Sequence, residues 1–392
     1  MNKFVFAVCG PERCISQLTF SIGRLKRFTH NDIIVVTDSR RNEIPISYEN
    51  IIDIATPSEY NGHEASIYLK TSVHKILSHG HTYCYLDSDV VCLSEKVDEI
   101  FNHYSTPITF ANDNATLEYF SPHAMNCECL ENHAHRGEII AKFKAEVAKH
   151  IGDFDLDAYS VKNDRKELTD LFTKTKHSVW GASQYFLLRY LPFVRSFTLE
   201  KFTFRKSEMC WRNRNGEVVE LDFRYYKRHI LPKLGENPAD WTNFEHDVPH
   251  CNHLSAYIFQ KYGINIPDNW QHWNGGVFLF DDSSAEFLDN WHEKTIAEFA
   301  NPYTKTRDQG MLALTVWKFG LQNHPTLPIE FNWIAEFADT NIDYAANKGY
   351  TRDGFKTISN PILMHIYHHW EDESWNIWES VKLVERIKLI LI

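Results

Sequence analysis

The N-terminal part of the chain alternates between uninterrupted apolar runs and segments with helical spacing. Apolar residues run through Lys3–Cys9 and Ile33–Thr37, with a weaker run at Ile51–Ile54. Between the first two runs, Cys14–Phe28 carries apolar residues at the spacing of a helix face. Strands without polar alternation are buried on both faces, as in parallel sheets covered by helices. The order therefore predicts an α/β fold with a mostly parallel sheet and helices on both faces.

The rest of the chain divides into an irregular middle and a regular end. A helix over Ala65–Ser78 and strands at Tyr83–Leu86 and Pro107–Ala111 extend the first pattern. The pattern becomes irregular over 115–271, where we expect a large insertion within a single domain of 1–392. The later predicted elements are strands at Trp273–Asp282, Pro325–Phe331 and Ile362–Ile366, and helices at Ala285–Phe299, Asp308–Phe319 and 380–391, the last one amphipathic.

Two carboxylates follow a buried strand in the segment TYCYLDSDVVCL, Thr82–Leu93. Asp87 and Asp89 are separated by Ser88 and flanked by apolar residues. Paired carboxylates form a hard oxygen site that suits Mg²⁺ or Mn²⁺, ions that keep open positions for phosphate oxygens. Ligands of open α/β sheets also collect at strand ends. The alternative is an acidic turn. We expect a metal site for a diphosphate-linked substrate.

Composition and charge exclude some classes of function. The net charge of −11 opposes a nucleic-acid-binding role. It also weakens general adhesion to anionic membranes, although a peripheral membrane contact stays open. Lys3 is followed by only a short apolar run, and no stretch approaches the roughly 18 apolar residues of a transmembrane helix. The 8 scattered cysteines predict reduced thiols, so we expect a cytoplasmic protein.

Two later segments carry residues suited to ligand contact. Asn274, Gly275 and Gly276 open a strand, where glycine permits close approach of a ligand and asparagine offers a donor and an acceptor. The alternative is a simple glycine turn. Asp308 and Gln309 begin an apolar helix, where an aspartate is commonly only a cap.

A late histidine offers a third ligand for the metal. His365 directly follows the apolar run Ile362–Met364. A neutral imidazole can complete a carboxylate-rich divalent site, whereas the alternative is a structural histidine at a strand end.

Taken in order, these residues resemble the GT-A-fold glycosyltransferases, and most closely glycosyltransferase family eight, which includes glycogenin and bacterial galactosyltransferases. The residues that carry the resemblance are Lys3–Gly10, Lys70, Asp87-Ser88-Asp89, Asn274–Val277, Asp308-Gln309, Leu327–Asn332 and His365. The late motif departs from the family pattern, which continues with glycine and Lys-Pro-Trp, whereas this chain continues from Ile366 to Trp370 as IYHHW.

The resemblance implies the GT-A (nucleotide-diphospho-sugar transferase) fold with a Rossmann-like sheet. It implies a metal-dependent hexosyltransferase that moves a sugar from a nucleotide-diphosphate sugar, UDP-linked by family habit, to a glycan or other hydroxyl acceptor with retention of configuration. In that interpretation Asp87, Asp89 and His365 hold Mn²⁺ or Mg²⁺, and the segment 115–271 forms an acceptor-side lobe. The residues expected at the nucleotide sugar are Val8, Cys9, Gly10, Asp38, Lys70, Ser88, Gly275 and Gly276.

Catalytic roles follow from the same resemblance. Asp308, Gln309 and Asn274 would contact the donor sugar and stabilise an oxocarbenium-like transition state. Other carboxylates that could serve, including as a base if the enzyme inverts, are Glu330, Asp281 and Asp282. Trp370, Trp375 and Trp378 could stack an acceptor sugar, although packing in the core is the alternative.

Two other interpretations stay open. A sugar-phosphate nucleotidyltransferase shares the nucleotide-binding sheet and should have a glycine-rich phosphate loop after the first strand. In this chain the loop at that place is Gly10–Cys14, which has one glycine and a proline and counts against this function. A catalytically silent carbohydrate-binding protein on the same fold is the third interpretation.

Two clusters also contain zinc-type ligands without finger spacing, and a histidine-rich loop surface is favoured for both. They are Cys127, Cys129, His133 and His135, and His246, His250, Cys251 and His253.

Overall fold

The computed structural model describes most of the chain as two compact units. The described residues are 1–152, 163–176, 195–241, 248–305, 308–335, 343–345, 349–352, 356–358, 360–372, 374–375, 377–378 and 381. One unit comprises Met1–Cys129 with Pro249–Ile392, and the other comprises Leu130–Val248. The predicted insertion over 115–271 is wider than this second unit. Apart from Val381, the predicted helix at 380–391 lies outside the described residues.

The described strands and helices are numbered here in chain order. The strands are β1 (Asn2–Ala7), β2 (Asp32–Thr37), β3 (Ile51–Asp53), β4 (Thr82–Leu86), β5 (Val90–Cys92), β6 (Ile108–Thr116), β7 (Ser196–Leu199), β8 (Phe202–Arg205), β9 (Cys210–Arg212), β10 (Val218–Leu221), β11 (Gln271–Phe280), β12 (Trp333–Ile334), β13 (Asp343–Ala345), β14 (Gly349–Arg352), β15 (Lys356–Ile358) and β16 (Leu363–His365). The helices are α1 (Glu12–Leu25), α2 (Gly62–Thr71), α3 (Val73–Ile76), α4 (Leu117–Ala124), α5 (Cys129–Ile151), α6 (Asn163–Lys176), α7 (Phe223–Ile230), α8 (His253–Tyr262), α9 (Ala285–Ala297) and α10 (Asp308–Lys318).

A six-stranded sheet forms the centre of the first unit, in the order β3-β2-β1-β4-β11-β6. Strands β3, β2, β1 and β4 pair in parallel, and β11 runs antiparallel to both β4 and β6. The prediction of an α/β fold with a mostly parallel sheet is confirmed. The apolar pattern did not predict that β11 runs antiparallel to its neighbours. The direction of pairing depends on how the chain connects two strands and not on the composition of either strand.

Both faces of the sheet are buried, and alternate residues of β1 show this directly. Val5 and Ala7 belong to one apolar cluster, whereas Phe4 and Phe6 belong to another. The first cluster includes residues of α2, α9 and α10, and the second includes residues of α1. Side chains of a strand point alternately to opposite faces, so helices cover the sheet on both sides.

A local irregularity in β11 shapes the edge of the sheet where β4 ends. Asn274 pairs with Ala111 and Phe278 pairs with Phe110, so β11 advances four residues while β6 advances one. The extra residues include Gly275 and Gly276. Val277 still pairs with Leu86 on the other side of β11. A bulge of this kind bends the strand and re-aims its backbone, here toward the carboxyl end of β4.

A small sheet in the order β12-β16-β5 brings a late part of the chain to the segment that follows β4. Strand β16 pairs antiparallel with β5, and His365 lies opposite Val90. The predicted strand at Pro325–Phe331 is wrong: Leu327 forms one isolated bridge with Ala111, and Ile329–Phe331 form a 3-10 turn. Pro325 and Pro328 lack the N–H that a ladder needs.

The second unit has its own apolar clusters. Its sheet is an antiparallel meander in the order β10-β9-β8-β7. Helix α5 packs residues such as Phe143 in a cluster with Tyr226 of α7. Phe202 and Trp211 belong to another cluster with Leu168 of α6. These aromatic residues therefore fill the apolar clusters of the second unit.

Among the described residues, no helix combines the length and apolarity needed to cross a bilayer.

Candidate functional site

The turn Asp87–Asp89 lies at the carboxyl end of β4 and is fixed by contacts from three other elements. The Asp87 amide donates to the Gly276 carbonyl at 2.8 Å. The Ser21 hydroxyl of α1 donates to the Ser88 carbonyl at 2.8 Å, and the Ile366 amide donates to the Asp89 carbonyl at 2.9 Å. The turn is therefore held by its backbone, and its carboxylates are left for other partners.

Asp87, Asp89 and His365 converge on one point. Each offers a ligand atom, and the three atoms lie within 4.8 Å of one another. His365 Nε2 lies 3.3 Å from Asp89 Oδ1, and its Nδ1 lies 3.2 Å from Asn332 Oδ1. A proton donated from Nδ1 to that amide oxygen leaves the Nε2 lone pair facing the carboxylates, which is the usual orientation of a metal-binding histidine.

These residues fit a divalent ion by three further observations. Asp89 Oδ1 is buried and accepts no hydrogen bond among the described residues. The Asp87 and Asp89 side chains remain 28% and 20% exposed, so a ligand can reach them from solvent. Two carboxylates and an imidazole are donors that Mn²⁺ and Mg²⁺ accept.

Gly276 leaves the space in which these side chains meet. A Cβ at this position would lie 2.5 Å from His365 Cε1 and 2.9 Å from Asp87 Oδ2 and Asn274 Oδ1. Carbon atoms in contact stay about 3.5 Å apart, so no larger residue fits without moving the site. The glycine in the predicted Asn274–Val277 motif is thus required by sterics.

Lys70 of α2 lies between two carboxylates. Its Nζ is 2.8 Å from Asp308 Oδ2 and 3.2 Å from Asp87 Oδ2, and the residue is buried. Burial works against its charge, but Asp308 and Asp87 outweigh burial and raise the pKa of Lys70. An ammonium has three N–H groups, so one remains for a further acceptor such as a phosphate oxygen.

The two paired carboxylates differ in their proton affinity. Burial raises the pKa of Asp87, and the negative charge of Asp89 adds to this although Lys70 opposes it. Burial acts on Asp89 in the same direction, but His365 reverses the effect and lowers the pKa of Asp89. Burial lowers the pKa of His365, yet Asp89 outweighs it and raises that pKa. With His365 neutral, three carboxylates face one ammonium, a charge deficit that a divalent ion would balance.

The predicted sugar-contacting residues lie beside this cluster. Asn274 Oδ1 accepts the Gly276 amide at 2.9 Å, and its Nδ2 donates to Asp113 Oδ2 at 3.0 Å. The Asp308 carbonyl accepts the Trp291 indole N–H at 2.9 Å, which fixes the start of α10. Gln309 Oε1 is buried with no hydrogen-bond partner among the described residues, so it is available to a ligand.

The predicted nucleotide-side residues follow β1 and β2. Val8 and Cys9 are buried behind the end of β1, and Gly10 has a φ of 116° that favours glycine. Asp38 is buried and accepts bonds from Arg40 Nη2 at 2.9 Å and from the Thr56 hydroxyl at 2.7 Å. Arg40 holds the pKa of Asp38 well below its usual range, with Thr56 contributing although burial opposes. The Asp38 side chain therefore fixes its own loop.

Two of the other candidate carboxylates, Asp281 and Asp282, lie away from the cluster. Phe280 pairs with Tyr83 at the amino end of β4. Because β11 runs antiparallel to β4, Asp281 and Asp282 lie near that end of β4, opposite the end that carries Asp87. Asp282 there lies 2.9 Å from His79 Nδ1. Neither carboxylate can act as a base at the Asp87 site, and this expectation is corrected. The Glu330 carbonyl accepts the Ile362 amide at 2.7 Å. A catalytic role of the Glu330 carboxylate stays a prediction.

The predicted acceptor platform of tryptophans is instead part of an apolar cluster. Trp375 and Trp378 are buried, and half-buried Trp370 packs against Trp378 with ring centroids 4.9 Å apart. Phe20 contacts both Trp370 and Trp378. Trp375 and Trp378 therefore pack in the core, as the alternative interpretation predicts, and Trp370 contacts their cluster from a half-buried position.

Sequence reasoning missed residues that orient the ligands. The Tyr85 hydroxyl donates to Asp87 Oδ1 at 2.7 Å, and Asn332 contacts His365 as described above. Tyr85 could have been found, because residues two apart on a strand share a face. Asp113, which holds Asn274, followed a predicted strand, but nothing in the sequence connected it to β11.

A second group of ligand-type side chains lies elsewhere in the first unit. Cys127, Cys129, Cys251 and His253 each offer one atom within 4.8 Å of the others. His133, His135 and His250 from the predicted clusters do not belong to this group, and His246 lies outside the described residues.

Comparison with solved structures finds weak likeness to glycosyltransferases. The galactosyltransferase LgtC, described in complex with donor and acceptor sugar analogs, is 10% identical with a TM-score of 0.40, covering 98% of this chain and 95% of that one. Mouse xyloside xylosyltransferase 1 is 10% identical with a TM-score of 0.37, covering 93% and 97%. The bifunctional glycosyltransferase WbbM is 10% identical with a TM-score of 0.38, covering 93% of this chain but only 45% of WbbM. No family model and no curated protein sequence matches the chain. Function therefore has to be inferred from the residues themselves.

Proposed function

We propose that this chain is a metal-dependent glycosyltransferase that moves a sugar from a nucleoside-diphosphate sugar to a hydroxyl acceptor. The observation that carries the proposal is the convergence of Asp87, Asp89 and His365 around Gly276, at the carboxyl end of β4. This is where ligands of open α/β sheets bind. A bound Mn²⁺ or Mg²⁺ would supply Lewis-acid charge to a diphosphate leaving group.

The chain's own residues are assigned to binding and orientation. Asn332 orients His365, and Tyr85 orients Asp87 through the contacts described above. Lys70 keeps Asp87 and Asp308 in place and offers its remaining N–H to a phosphate oxygen. The nucleotide is proposed to lie over the ends of β1 and β2, where Gly10 has no side chain and the space at its Cβ position is empty to 4 Å.

The sugar is proposed to lie beside Asn274, Asp308 and Gln309. Gln309 Oε1 is the clearest contact, since a buried acceptor without a partner is costly unless a ligand satisfies it. The Asp308 carboxylate would stabilise positive charge that develops at the anomeric carbon. Transfer with retention, and UDP as the nucleotide, are proposed from the family resemblance.

One observation weighs against nucleotidyl transfer, the main enzymatic alternative. The amide of Glu12, at the start of α1, donates to Glu43 Oε2 at 2.8 Å. A phosphate loop uses such amides for the nucleotide phosphates. In this chain a carboxylate already holds that position, and Pro11 offers no amide.

The test is a screen of UDP-glucose, UDP-galactose, UDP-N-acetylglucosamine and GDP-mannose with Mn²⁺, measuring release of nucleoside diphosphate. We expect turnover that chelator abolishes, and a loss of about 10²-fold or more in Asp89→Asn, because the neutral amide lacks the carboxylate's charge and changes even behind the ligands of a metal site cost about 10–100-fold. Asp32→Asn is the matched control, because Asp32 is an exposed ion-pair partner of Lys3 at the amino end of β2. The reaction should proceed as well in this control as in the wild type.

Three results would count against the proposal. Turnover that requires pyrophosphate would favour a nucleotidyltransferase. Binding of glycans without turnover of any donor would favour a silent carbohydrate-binding protein. Equal turnover in Asp89→Asn and Asp32→Asn would remove the metal site from the mechanism.

A further inference from the structure

The Cys127, Cys129, Cys251 and His253 side chains form a compact donor set outside the Asp87 site. Their ligand atoms lie within 4.8 Å of one another, and Cys129 Sγ is 3.6 Å from His253 Nδ1. Four donors around one Zn²⁺, at about 2.0–2.3 Å from the ion, lie about 3.3–3.8 Å from each other in a tetrahedron. The observed spacing thus needs only small rotamer changes to enclose a single ion.

The backbones that carry these ligands are held in place without any metal. The Cys251 amide donates to the Glu118 carbonyl of α4 at 3.0 Å. Next to Cys127, the Asn126 amide donates to the Tyr303 carbonyl at 3.0 Å, and Asn126 Nδ2 donates to the Pro302 carbonyl at 2.7 Å. The Cys-x-Cys pair (Cys127 and Cys129) and the Cys-x-His pair (Cys251 and His253) therefore face each other from segments that backbone hydrogen bonds hold in place.

A hydroxyl group lies next to one sulfur in the way that outer ligands of metal sites do. Buried Ser121 accepts the Leu254 amide at 2.9 Å, and its Oγ lies 3.0 Å from Cys251 Sγ. The oxygen accepts the amide through one of its two lone pairs, so its O–H group is free to donate to a thiolate. Such hydrogen bonds orient sulfur ligands and stabilise their charge.

We propose that Cys127, Cys129, Cys251 and His253 bind a structural Zn²⁺ in a closed Cys₃His site. The donor types and their number match structural zinc, and no position is left open for a substrate. All four residues belong to the first unit, at the two places where the chain passes into and out of Leu130–Val248. The ion would link these two segments and close the long loop of chain between them. Its binding free energy would therefore contribute to the free energy of folding.

The site is tested by metal content and by cobalt substitution. We measure zinc by mass spectrometry in protein carrying Asp89→Asn, which removes the carboxylate site as a competing zinc ligand set. We expect about one zinc per chain, falling at least about tenfold in Cys127→Ser and Cys251→Ser, because loss of one thiolate opens the closed site. Cys14→Ser is the matched control, a partly buried cysteine on α1 outside the cluster, and should keep its zinc.

Cobalt spectroscopy on the otherwise unaltered protein needs no cysteine variant to fold. We expect a thiolate-to-cobalt charge-transfer band together with the intense visible bands of tetrahedral Co²⁺, displaced by one equivalent of Zn²⁺. Absence of these bands, an iron–sulfur chromophore, or a disulfide among the three cysteines in protein purified with or without oxygen would each overturn the proposal. None of these readouts depends on glycosyl transfer, so the two proposals can fail separately.

Discussion

Replacing Gly276 by alanine tests whether the metal site is built by close packing. The added Cβ would lie 2.5 Å from His365 Cε1. Restoring an ordinary carbon contact of about 3.5 Å requires the imidazole or the β11 backbone to move by about 1 Å. Because φ of Gly276 lies outside the left-handed region, the methyl group acts by sterics alone.

The size of the effect can be estimated for both stability and metal binding. Overpacking of a filled site costs about 1–3 kcal/mol of unfolding free energy. Disturbing the residues that orient metal ligands costs about 10–100-fold in metal affinity. We therefore expect Gly276→Ala to weaken Mn²⁺ binding by about 10–100-fold in calorimetric titration. Urea denaturation of the metal-free protein should show the loss of stability.

Gly275→Ala is the matched control. Its Cβ would lie 3.3 Å from Asp308 Oδ2 and 3.4 Å from Lys70 Nζ, contacts that shifts of a few tenths of an ångström relieve. We expect Mn²⁺ affinity close to that of wild type, because the atoms that the added methyl group would contact belong to Asp308, Lys70 and Trp291 and not to the three proposed metal ligands. Removing the imidazole with His365→Ala should shrink the stability cost of Gly276→Ala, as coupled neighbours do in a double-mutant cycle. Equal Mn²⁺ affinity in the two alanine variants would refute the packing argument.

Two buried charged residues, Lys70 and Asp38, give further predictions for the free energy of unfolding. Lys70→Met should lower the unfolding free energy by about 3–5 kcal/mol, because it leaves Asp87 and Asp308 buried without their counter-ion. Added Mn²⁺ should recover part of this loss in a urea titration, and the exposed pair Lys75–Asp289 provides the control, with about 0–1 kcal/mol for Lys75→Met. Asp38→Asn should cost about 1–3 kcal/mol at pH 7 through its charged hydrogen bonds. Because the folded pKa of Asp38 is depressed, that contribution is complete above the ordinary value of about 4 and is lost as pH falls through the folded pKa. The gap between wild type and Asp38→Asn in unfolding free energy should therefore close from pH 4 downward, and a constant gap would contradict this role.

Much of the sheet was predictable because its strands are short, apolar and buried on both faces. The runs predicted at Lys3–Cys9 and Ile33–Thr37 correspond to β1 and β2 within two residues. The predicted helix Ala65–Ser78 is divided at Ser72 into α2 and α3. Local patterns carry this information, whereas strand direction depends on contacts far apart in sequence. For that reason the sequence did not show that Asp281 and Asp282 lie near the opposite end of β4 from Asp87.

The composition of the site was easier to predict than its connections. The residue types of the site, two aspartates and a histidine, are ones that bind divalent ions. Asp87 and Asp89 lie between the buried strands β4 and β5, and His365 ends β16. The double ion pair of Lys70 could not be predicted, since it depends on the packing of α2 against the start of α10. The cysteine group was predicted only as two separate clusters, because its two halves are separated in sequence by Leu130–Val248.

The pairing of β16 with β5 also sets an order of assembly. Asp87 and Asp89 leave the ribosome long before His365, and chains are built from the N-terminus onward. A nascent chain therefore carries the acidic pair without its imidazole partner until β16 pairs with β5 beside Val90. The proposed set of three metal ligands is complete only after this late strand has docked.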